Sequence, residues 1–415
     1  MIEIEDAWVR IERHVRQNET VEVDLQQAVG RVLATQLDSD SDSPPFSKSL
    51  VDGFAVGSPP AETVSYLISE IVTAGNVPTK TLSAGQATQI MTGAPIPEGS
   101  IGVIMVEETQ ASDDRRIVVT STNFSMGQNI LNQGRVVSKS EKLLDSGYRL
   151  QAHHVGALAE FGINRVDVVR KTNVAVLVTG DELVPIDETP GPGQIRNSNG
   201  SLIASMIDSA GGEATILGVG RDNMSDLLEK IAIGLQHDIL VIAGGVSAGV
   251  LDLVPKCLTE SRVEQDFHKI NLKPGKPLWF GTRTQNSESD PLTQKQDKTL
   301  VFGLPGNPVS TLVCFKLFVE PIIRRLDGGA KEPMFYTGSL SADFHFTGGR
   351  RTFWPCRFVR RPDTGINNRE GSELEPLPWV GSSDQVRFLY ADALVEFAGE
   401  RQTFHAGQTV RYVKL

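Results

Sequence analysis

The sequence predicts a multidomain protein of the α/β plus β class, organised around a central, doubly wound α/β domain. Its 415 residues are too many for one hydrophobic core, so about three domains are expected. From Asn173 to Leu326, apolar strands alternate with helices, as in a parallel sheet that is covered on both faces. On both sides of this region the apolar runs are short and separated by turn residues, which indicates β-rich modules.

The N-terminal region predicts a small, discontinuous α+β domain formed by residues 1–43 and 138–169. An amphipathic helix opens the chain, because five apolar residues fall on one helical face: Ile4, Ala7, Trp8, Ile11 and Val15. The segment "VEVDL" then suggests a strand, "QQAVGRVLATQL" a second helix and "LQAHHVGALAEFG" a third. The short apolar runs of residues 44–137 predict an inserted β-rich domain.

The central domain is predicted to span residues 170–327, and residues 328–415 are predicted to form a C-terminal β domain. Strands of the central domain are expected at "NVAVLVTG", "EATILGVG", "DILVIAGG", "PLWFG" and "TLVFG", and a long final helix at "PVSTLVCFKLFVEPIIRRL". The stretch "TRTQNSESDPLTQKQDK" has almost no apolar residues, so we expect a mobile surface loop from Thr282 to Lys298.

Composition excludes several classes of function. The net charge of −11 leaves no electrostatic footprint for nucleic acid or for an anionic membrane. The N-terminus lacks the apolar core of a signal peptide, and no run approaches the ~18 apolar residues of a membrane span, so a cytoplasmic protein is expected. Cys257, Cys314 and Cys356 lack metal-ligand spacing and are expected to be buried thiols. Neither a serine-hydrolase elbow nor a P-loop motif is present.

The strand-to-helix junctions are where a site is expected, because ligands of parallel α/β sheets bind beyond the carboxyl ends of the strands. In "VFGLPGNPVST", Asn307 can cap a helix that begins at Pro308, and Gly306 allows a ligand to approach the backbone closely. The amides of residues 309–311 are expected to be free at the positive end of this helix, which predicts an anion site. The alternative is a well-capped helix after a tight turn.

Three other junctions carry complementary polar groups. A loop of exposed amides is predicted in "AGGVSAGVLD", which ends at Asp252, although a plain turn explains it equally well. Asp181 and Glu182 follow the strand of "VTGDELV", where they form either a solvated turn or a site for Mg²⁺, which prefers oxygen ligands. Three lysines in "HKINLKPGKPLWFG" form a solvated face or neutralise an anion. Together the junctions predict one pocket for a phosphate-bearing ligand and a divalent metal.

The motifs as a set resemble the molybdopterin molybdenumtransferase family, which includes the bacterial molybdenum-insertion enzyme and the corresponding domain of gephyrin. They follow one another in the family's order: "PPFSKSLVDGFAV", "MTGAPIP", "TGDELV", "GQIRNSNG", "GGVSAGVLD", "KPGKP" and "GLPGNPVS". The central domain alone is also similar to stand-alone molybdopterin adenylyltransferases and to competence-damage proteins. The N-terminal modules and the C-terminal β domain favour the transferase.

The resemblance implies an enzyme that uses Mg²⁺ and molybdate to insert molybdenum into adenylylated molybdopterin, with release of AMP. It implies an elongated homodimer, with an N-terminal dimerisation domain, a central domain of the molybdopterin-binding type and a β-barrel-like C-terminal domain. Its small-molecule partners are a pterin phosphate and an oxyanion, and its suggested protein partners are molybdopterin adenylyltransferase and molybdoenzymes.

Carried over position by position, the resemblance assigns roles to individual residues of this chain. The implied catalytic residues are Asp52, Thr92, Glu182, Asp222, Asp252, Lys269 and Lys273. Glu182 and Asp252 are also the implied metal ligands. The implied substrate-binding residues are Thr179, Gly180, Asp181, Gly244, Gly245, Ser247, Lys276, Pro305, Gly306, Asn307, Pro308 and Ser310.

The chain departs from the family pattern at several positions. Leu131 and Pro355 stand where arginines are common, Arg387 stands where a small hydroxyl residue is usual, and Arg135 and Val136 replace acids. The departures at Leu131, Pro355 and Arg387 support a first alternative, a non-catalytic molybdopterin-binding scaffold protein. A second alternative is a nucleotide pyrophosphatase of the competence-damage type. Molybdenum and tungsten both remain open as the metal that is inserted.

Overall fold

The computed structural model describes residues 1–59, 65–112, 114–120, 124–246, 253–284, 298–329, 335–359 and 372–415. The chain forms two compact units, one of Asp24–Gln27 and Thr35–Val166, the other of Met1–Val23, Ala28–Ala34 and Asp167–Leu415. This division is coarser than the four predicted domains, whose boundaries stay predictions. Most of the predicted loop between Thr282 and Lys298 lies outside the described residues.

The α-helices of the described residues are α1 Ile4–Glu12, α2 Ala152–Glu160, α3 Ser198–Ala210, α4 Met224–Gly234, α5 Val254–Glu260, α6 Pro308–Cys314 and α7 Glu320–Leu326. A π-helical turn, Phe315–Val319, joins α6 to α7, so the long final helix is confirmed with one wide turn inside it. Pro321 lies in the first turn of α7 and lacks the N–H that would bond to the preceding turn, which is where the ladder widens.

The predicted second helix in "QQAVGRVLATQL" is wrong. Only a 3-10 turn, Leu25–Gln27, forms there. Gly30 takes a left-handed φ of 80°, and Leu33 forms an antiparallel bridge with Val168. A left-handed glycine stops a helix, and extended pairing with a distant segment satisfies the backbone instead.

The strands are numbered in chain order. Those of residues 20–169 are β1 Thr20–Asp24, β2 Leu37–Asp38, β3 Lys48–Ser49, β4 Gly53–Val56, β5 Ser65–Val72, β6 Gln86–Ile90, β7 Gly102–Met105, β8 Thr109–Ser112, β9 Arg116–Val119, β10 Ile130–Leu131, β11 Lys142–Leu144 and β12 Arg165–Val169. Those of residues 173–304 are β13 Asn173–Thr179, β14 Leu183–Val184, β15 Ile195–Arg196, β16 Glu213–Gly220, β17 Ile239–Ala243, β18 Glu264–His268, β19 Leu272–Lys273, β20 Trp279–Thr284 and β21 Lys298–Leu304. The last are β22 Phe335–Leu340, β23 Phe344–Phe346, β24 Gly349–Phe358, β25 Ser372–Pro376, β26 Ala393–Gly399, β27 Gln402–Phe404 and β28 Thr409–Lys414.

The predicted β-rich module is confirmed as a six-stranded sheet in the order β7-β4-β6-β5-β9-β8. Only the β5–β6 pair is parallel in this sheet. Strand β4 is buried along its whole length. Phe54 and Val56 pack in one apolar cluster and Ala55 in another, because successive side chains of a strand point to opposite faces. The sheet therefore carries a core on each side.

The central sheet has the order β16-β13-β17-β21-β20-β18. The first four strands pair in parallel, whereas β20 and β18 pair antiparallel with their neighbours. Helices α4 and α5 pack on one face, and α3, α6 and α7 on the other. The predicted amphipathic helix is confirmed as α1. Its residues Ile4, Ala7 and Ile11 are fully buried in the same apolar cluster as α3, α6 and α7.

The C-terminal strands close into a barrel, because β24 pairs with both β25 and β26 in a sheet ordered β19-β24-β25-β22-β28-β26. The strand β19 comes from the central domain and carries Lys273. It pairs in parallel with β24, Leu272 opposite Arg351 and Lys273 opposite Thr352. The barrel wall thus holds part of the lysine-rich loop, which is the segment between β18 and β20 that carries Lys269, Lys273 and Lys276.

Two sequence expectations concern the thiols and membrane insertion. Cys257, Cys314 and Cys356 are free and buried, as predicted. Burial raises the pKa of each of these thiols above its ordinary value. In the described part of the chain, no helix is long and apolar enough to span a bilayer.

Candidate functional site

The junctions selected from the sequence lie along one edge of the central sheet. The parallel strands β16, β13, β17 and β21 end there at Gly220, Thr179, Ala243 and Leu304. Strand β20 is antiparallel and begins at the same edge, since Trp279 lies opposite Gly303. From β16 to β20 the edge runs for four strand spacings, about 20 Å. The site is therefore elongated, with different residues at its two ends.

At the β21–β20 end, the lysine-rich loop and the barrel enclose a cavity of about 440 Å³. Predicted site residues that line it are Lys273, Lys276, Pro305, Asn307 and Ser310. The barrel contributes Arg350, His345, Trp354, Trp379 and Ser382, among others. Three of these side chains, Lys273, Lys276 and Arg350, are cationic at neutral pH. The cavity is thus suited to a compact anion.

The capping predicted for Asn307 is wrong. Its side chain makes no capping hydrogen bond to α6 and instead donates to the hydroxyl of Ser382 at 2.9 Å. Two of the amides expected to be free are also engaged, since Val309 donates to the Ser382 carbonyl at 3.2 Å and Thr311 donates to the Asn307 carbonyl at 3.0 Å. The barrel segment around Ser382 accepts from the Asn307 side chain and the Val309 amide, whereas the Thr311 amide is used within α6. Side chains are therefore the main donors left for an anion in the cavity.

At the other end, Asp181, Glu182 and Asp222 follow β13 and β16 and are exposed. The amide of Asp222 donates to the Asp181 carboxylate at 3.2 Å. The Glu182 carboxylate folds over Gly180, where an added Cβ would lie 2.4 Å from Glu182 Oε2. The three acids therefore belong to one surface, but none of them lines the cavity.

Between the two ends lie glycines of the loops that follow β17 and β21. Gly244 and Gly245 have left-handed φ values of 99° and 63°, and an added Cβ on either would approach Thr179 within 3 Å. A Cβ on Gly306 would lie 3.5 Å from the Gly244 Cα. The close contacts and left-handed φ values require glycine at positions 244 and 245, and all three glycines leave backbone, rather than side chains, at the middle of the edge.

Some predicted site residues lie elsewhere or outside the described part of the chain. Lys269 has a left-handed φ of 74° and follows β18, but it does not line the cavity. Pro308 begins α6 behind the lining residue Asn307. Ser247 and Asp252 fall outside the described residues.

The three acids at the acidic end of the edge offer carboxylate oxygens, which are the ligands that Mg²⁺ prefers, and the Arg221 guanidinium lies beside them and donates to the Asp181 carbonyl at 3.3 Å. Among the described residues no group of three His, Cys, Asp or Glu side chains converges as a metal site. Asp252, the second predicted metal ligand, lies outside the described residues. The predicted pair of metal ligands therefore stays a prediction.

Asp52 and Thr92 lie together in the unit that contains the β-rich sheet. The amide of Thr92 donates to Asp52 Oδ1 at 2.6 Å and its hydroxyl donates to the same oxygen at 2.7 Å. These two bonds, the amide's first, lower the pKa of the Asp52 carboxyl below its ordinary value. The sequence separated these residues by forty positions, and the fold joins them as one polar unit.

Family models match most of the chain. The model described as the MoeA N-terminal region (domain I and II) matches residues 2–162, and the one described as a probable molybdopterin binding domain matches residues 175–325. A molybdopterin molybdenumtransferase of Staphylococcus epidermidis is 30% identical over 421 aligned positions, covering 99% of this chain and 94% of the relative. This chain belongs to the molybdopterin molybdenumtransferase family.

Two other proteins also match this chain over most of its length. A molybdopterin molybdenumtransferase of Nostoc is 34% identical, over 81% of this chain and 77% of the relative. The crystal structure of a molybdopterin biosynthesis protein of Pyrococcus horikoshii matches with a TM-score of 0.80 and 29% identity, covering 100% of this chain and 99% of that chain. Membership confirms the resemblance, the fold class and the predicted class of enzyme, a transferase of molybdenum cofactor biosynthesis.

In this member of the molybdopterin molybdenumtransferase family, sequence reasoning missed Arg350 and Ser382. Arg350 lies in "GRRTFWPCR", where the sequence drew attention only to Pro355. The signal that could have found it is a pair of adjacent arginines at the start of an apolar strand, where one side chain must face inward. Pro355 is buried in β24 opposite Leu394, and neither it nor Arg387 lines the cavity.

Proposed function

We propose that this chain transfers molybdenum from molybdate to adenylylated molybdopterin, with Mg²⁺-assisted cleavage of the pyrophosphate and release of AMP. The observation that carries this proposal is the cavity lined by Lys273, Lys276 and Arg350. Three cationic side chains surround a cavity of about 440 Å³ in a chain whose net charge is −11, so positive charge is concentrated at this place. Molybdate is a dianion of a size that such a cavity accepts.

Different residues of the cavity offer different kinds of hydrogen-bond donor to an anion. The Arg350 guanidinium offers planar, directed donors, and the two lysine ammonium groups offer compact charges that adjust to a tetrahedral anion. The hydroxyls of Ser310 and Ser382 can add neutral hydrogen bonds. Pro274 and Pro277, which flank these lysines, also line the cavity and restrict the loop.

The elongated edge suits a ligand with an oxyanion-accepting group at one end and a pyrophosphate further along. The exposed backbone of Gly306 lies between the cavity and the acids, so a phosphate chain can approach it closely. Glu182 and Asp181, with Asp252, would hold Mg²⁺ at the acidic end. When bound there, Mg²⁺ would shield the charge of the pyrophosphate and of the departing AMP.

The remaining parts of the proposal concern assembly and location. We propose a homodimer in the cytoplasm that receives its pterin substrate from a molybdopterin adenylyltransferase and passes its product to molybdoenzymes. Asp52 and Thr92 are proposed to act on substrate bound by a second copy. Mixing Asp52→Asn and Glu182→Gln proteins tests this, because only hybrid dimers would regain activity.

The test of the proposed reaction is release of AMP from adenylylated molybdopterin, followed chromatographically. We expect release to require both Mg²⁺ and molybdate, with tungstate as a parallel arm that compares the two metals. Lys276→Gln should impair the reaction, whereas Lys256→Gln, an exposed lysine on α5, serves as the matched control.

Two outcomes would contradict the proposal. AMP release at the same rate without any oxyanion would show a pyrophosphatase instead. Tight binding of molybdopterin with no AMP release, beside a family member that is active in the same assay, would show a scaffold protein.

A further inference from the structure

We propose that Arg351, held between Glu5 and Glu396, is a positioning residue that fixes Arg350 and Lys273 at the anion cavity. The inference rests on the proposed function of that cavity. Arg351 does not line the cavity, so its role is exerted through its neighbours on β24 and β19.

Arg351 adjoins Arg350 in the chain and lies beside the strand of Lys273 in the sheet. It follows Arg350 directly, and its backbone pairs with Leu272, the residue before Lys273. The Arg350 side chain in turn donates to the Leu272 carbonyl at 2.8 Å. Any shift of Arg351 along or away from β19 therefore moves Arg350 and Lys273, two of the three cations of the cavity.

The ladder between β24 and β26 is irregular at Arg350 and Arg351. Gly348 and Gly349 have left-handed φ values of 79° and 110°. The register of β24 against β26 shifts between Gly349 and Thr352, so Arg350 and Arg351 have no partner on β26 in this ladder. An ion pair made by a side chain of this segment can then hold the start of β24 in place.

Arg351 provides that anchor through two carboxylates from different parts of the chain. Its Nε contacts Glu396 on β26, and its Nη1 contacts Glu5 on α1. The side chains of Arg351 and Glu396 are only 13% and 11% exposed, so their interaction is weakly screened by solvent. A guanidinium can bridge two carboxylates in a fixed plane, which a lysine cannot do.

The helix that carries Glu5 is itself tied to the lysine-rich loop. The Ile2 amide donates to the Lys269 carbonyl at 3.3 Å, and the Asn271 amide donates back to the Ile2 carbonyl at 2.9 Å. Asn271 Nδ2 also donates to Glu3 Oε1 at 2.9 Å. Residues 2–5 therefore brace both the loop that leads to Lys273 and the strand that carries Arg350.

The charges of the anchoring carboxylates allow a decisive test, because positioning and electrostatics predict opposite signs. Removing a negative charge near an anion site strengthens anion binding if only the field matters. Removing a carboxylate that holds Arg351 weakens binding if position matters. Glu5→Ala and Glu396→Gln are the two variants, and Asp6→Ala, which removes another exposed acid from the first turn of α1, is the matched control.

The measurement is the affinity for molybdate alone, by equilibrium dialysis with full-length protein, together with the melting temperature. We expect affinity to fall about threefold in Glu5→Ala and about tenfold in Glu396→Gln, as for loss of a partly exposed and a buried charged hydrogen bond. Glu5 is half exposed, so the melting temperature of its variant should stay unchanged. Asp6→Ala should bind molybdate as tightly as the wild type or slightly more tightly.

The outcomes separate the inference from the proposed function. If the wild type binds molybdate and both variants bind it equally well or better, the positioning role is refuted and the proposed function stands. If both variants instead bind molybdate more weakly and also melt at a correspondingly lower temperature, the positioning role is refuted and Arg351 only stabilises the fold. A wild type that does not bind molybdate would overturn the cavity assignment and, with it, this inference.

Discussion

The guanidinium of Arg350 donates a hydrogen bond of 2.8 Å to the carbonyl of Leu272, the residue immediately before Lys273. A residue of the C-terminal barrel thereby holds a loop of the central domain. The side chains of Arg350 and Lys273 line the same cavity. The cavity is thus built jointly by two parts of the chain that the sequence presents as separate domains.

Replacing Arg350 should weaken oxyanion binding selectively. Arg350→Ala is expected to lower molybdate affinity by about tenfold to a hundredfold, since a hydrogen bond to a charged group contributes about 1.5–3 kcal/mol. Arg357→Ala, at the exposed far end of the same strand, is the control and should bind normally. Isothermal titration with molybdate measures both, and equal affinities in the two variants would remove Arg350 from the site.

Neutralising Glu182 should impair turnover more than substrate binding. Glu182→Gln and Asp252→Asn are each expected to slow AMP release more than about tenfold, because charge stabilisation by a bound metal contributes several kcal/mol. Glu188→Gln removes a nearby exposed carboxylate and should behave as the wild type. Rates are compared at saturating substrate over a range of Mg²⁺ concentrations. Unchanged release in both site variants would exclude these two carboxylates.

The Asp52 carboxyl should titrate below its ordinary pKa because Thr92 donates two hydrogen bonds to the ionised form. Its contribution to folding stability is thus fully present above the unfolded pKa of about 3.8 and is lost as the pH falls through the lower, folded-state pKa. Thr92→Val removes the hydroxyl but keeps the amide, so the pKa of Asp52 should rise part of the way.

Carbon-13 NMR of the aspartate carboxyl groups follows this titration directly. Asp343, whose pKa is lowered by the amide of Ala406 and then by His405, is an internal control and should not change in Thr92→Val. An Asp52 pKa that is the same in both proteins would show that the hydroxyl bond does not form in solution.

Two glycine substitutions should change stability in opposite directions. Gly275 has a φ of 121°, and an added Cβ would lie 2.6 Å from Cys314 Sγ and 2.8 Å from Leu272 Cδ2. Gly275→Ala should therefore destabilise the fold by about 1–3 kcal/mol. Gly156 lies in α2 with open space around its Cα, so Gly156→Ala should stabilise by about 0.5–1 kcal/mol.

Urea unfolding of the two variants and the wild type measures these free energies. Because Gly275 lies between Lys273 and Lys276, its variant should also bind molybdate more weakly, whereas Gly156→Ala should not. A stable Gly275→Ala protein with normal binding would mean that the lysine-rich loop is held less tightly than the close contacts indicate.

The sequence by itself determined the central sheet and the edge where the site lies. Continuous apolar runs such as "NVAVLVTG" predict buried parallel strands, and parallel strands place their carboxyl ends together. The positions of Thr179, Gly244 and Pro305 at that edge follow from this rule alone. The amphipathic pattern of α1 and the alternation of the β-rich module were equally local signals.

Only the tertiary structure decided which side chains share the cavity and what holds them. Arg350 and Leu272 are 78 positions apart, and no periodicity in either segment encodes their contact. The same reason explains why Asn307 bonds to Ser382 instead of capping α6, and why Leu33 pairs with Val168 instead of entering a helix. In each case a distant partner outcompetes a local preference, because local propensities are worth less than about 1 kcal/mol per residue.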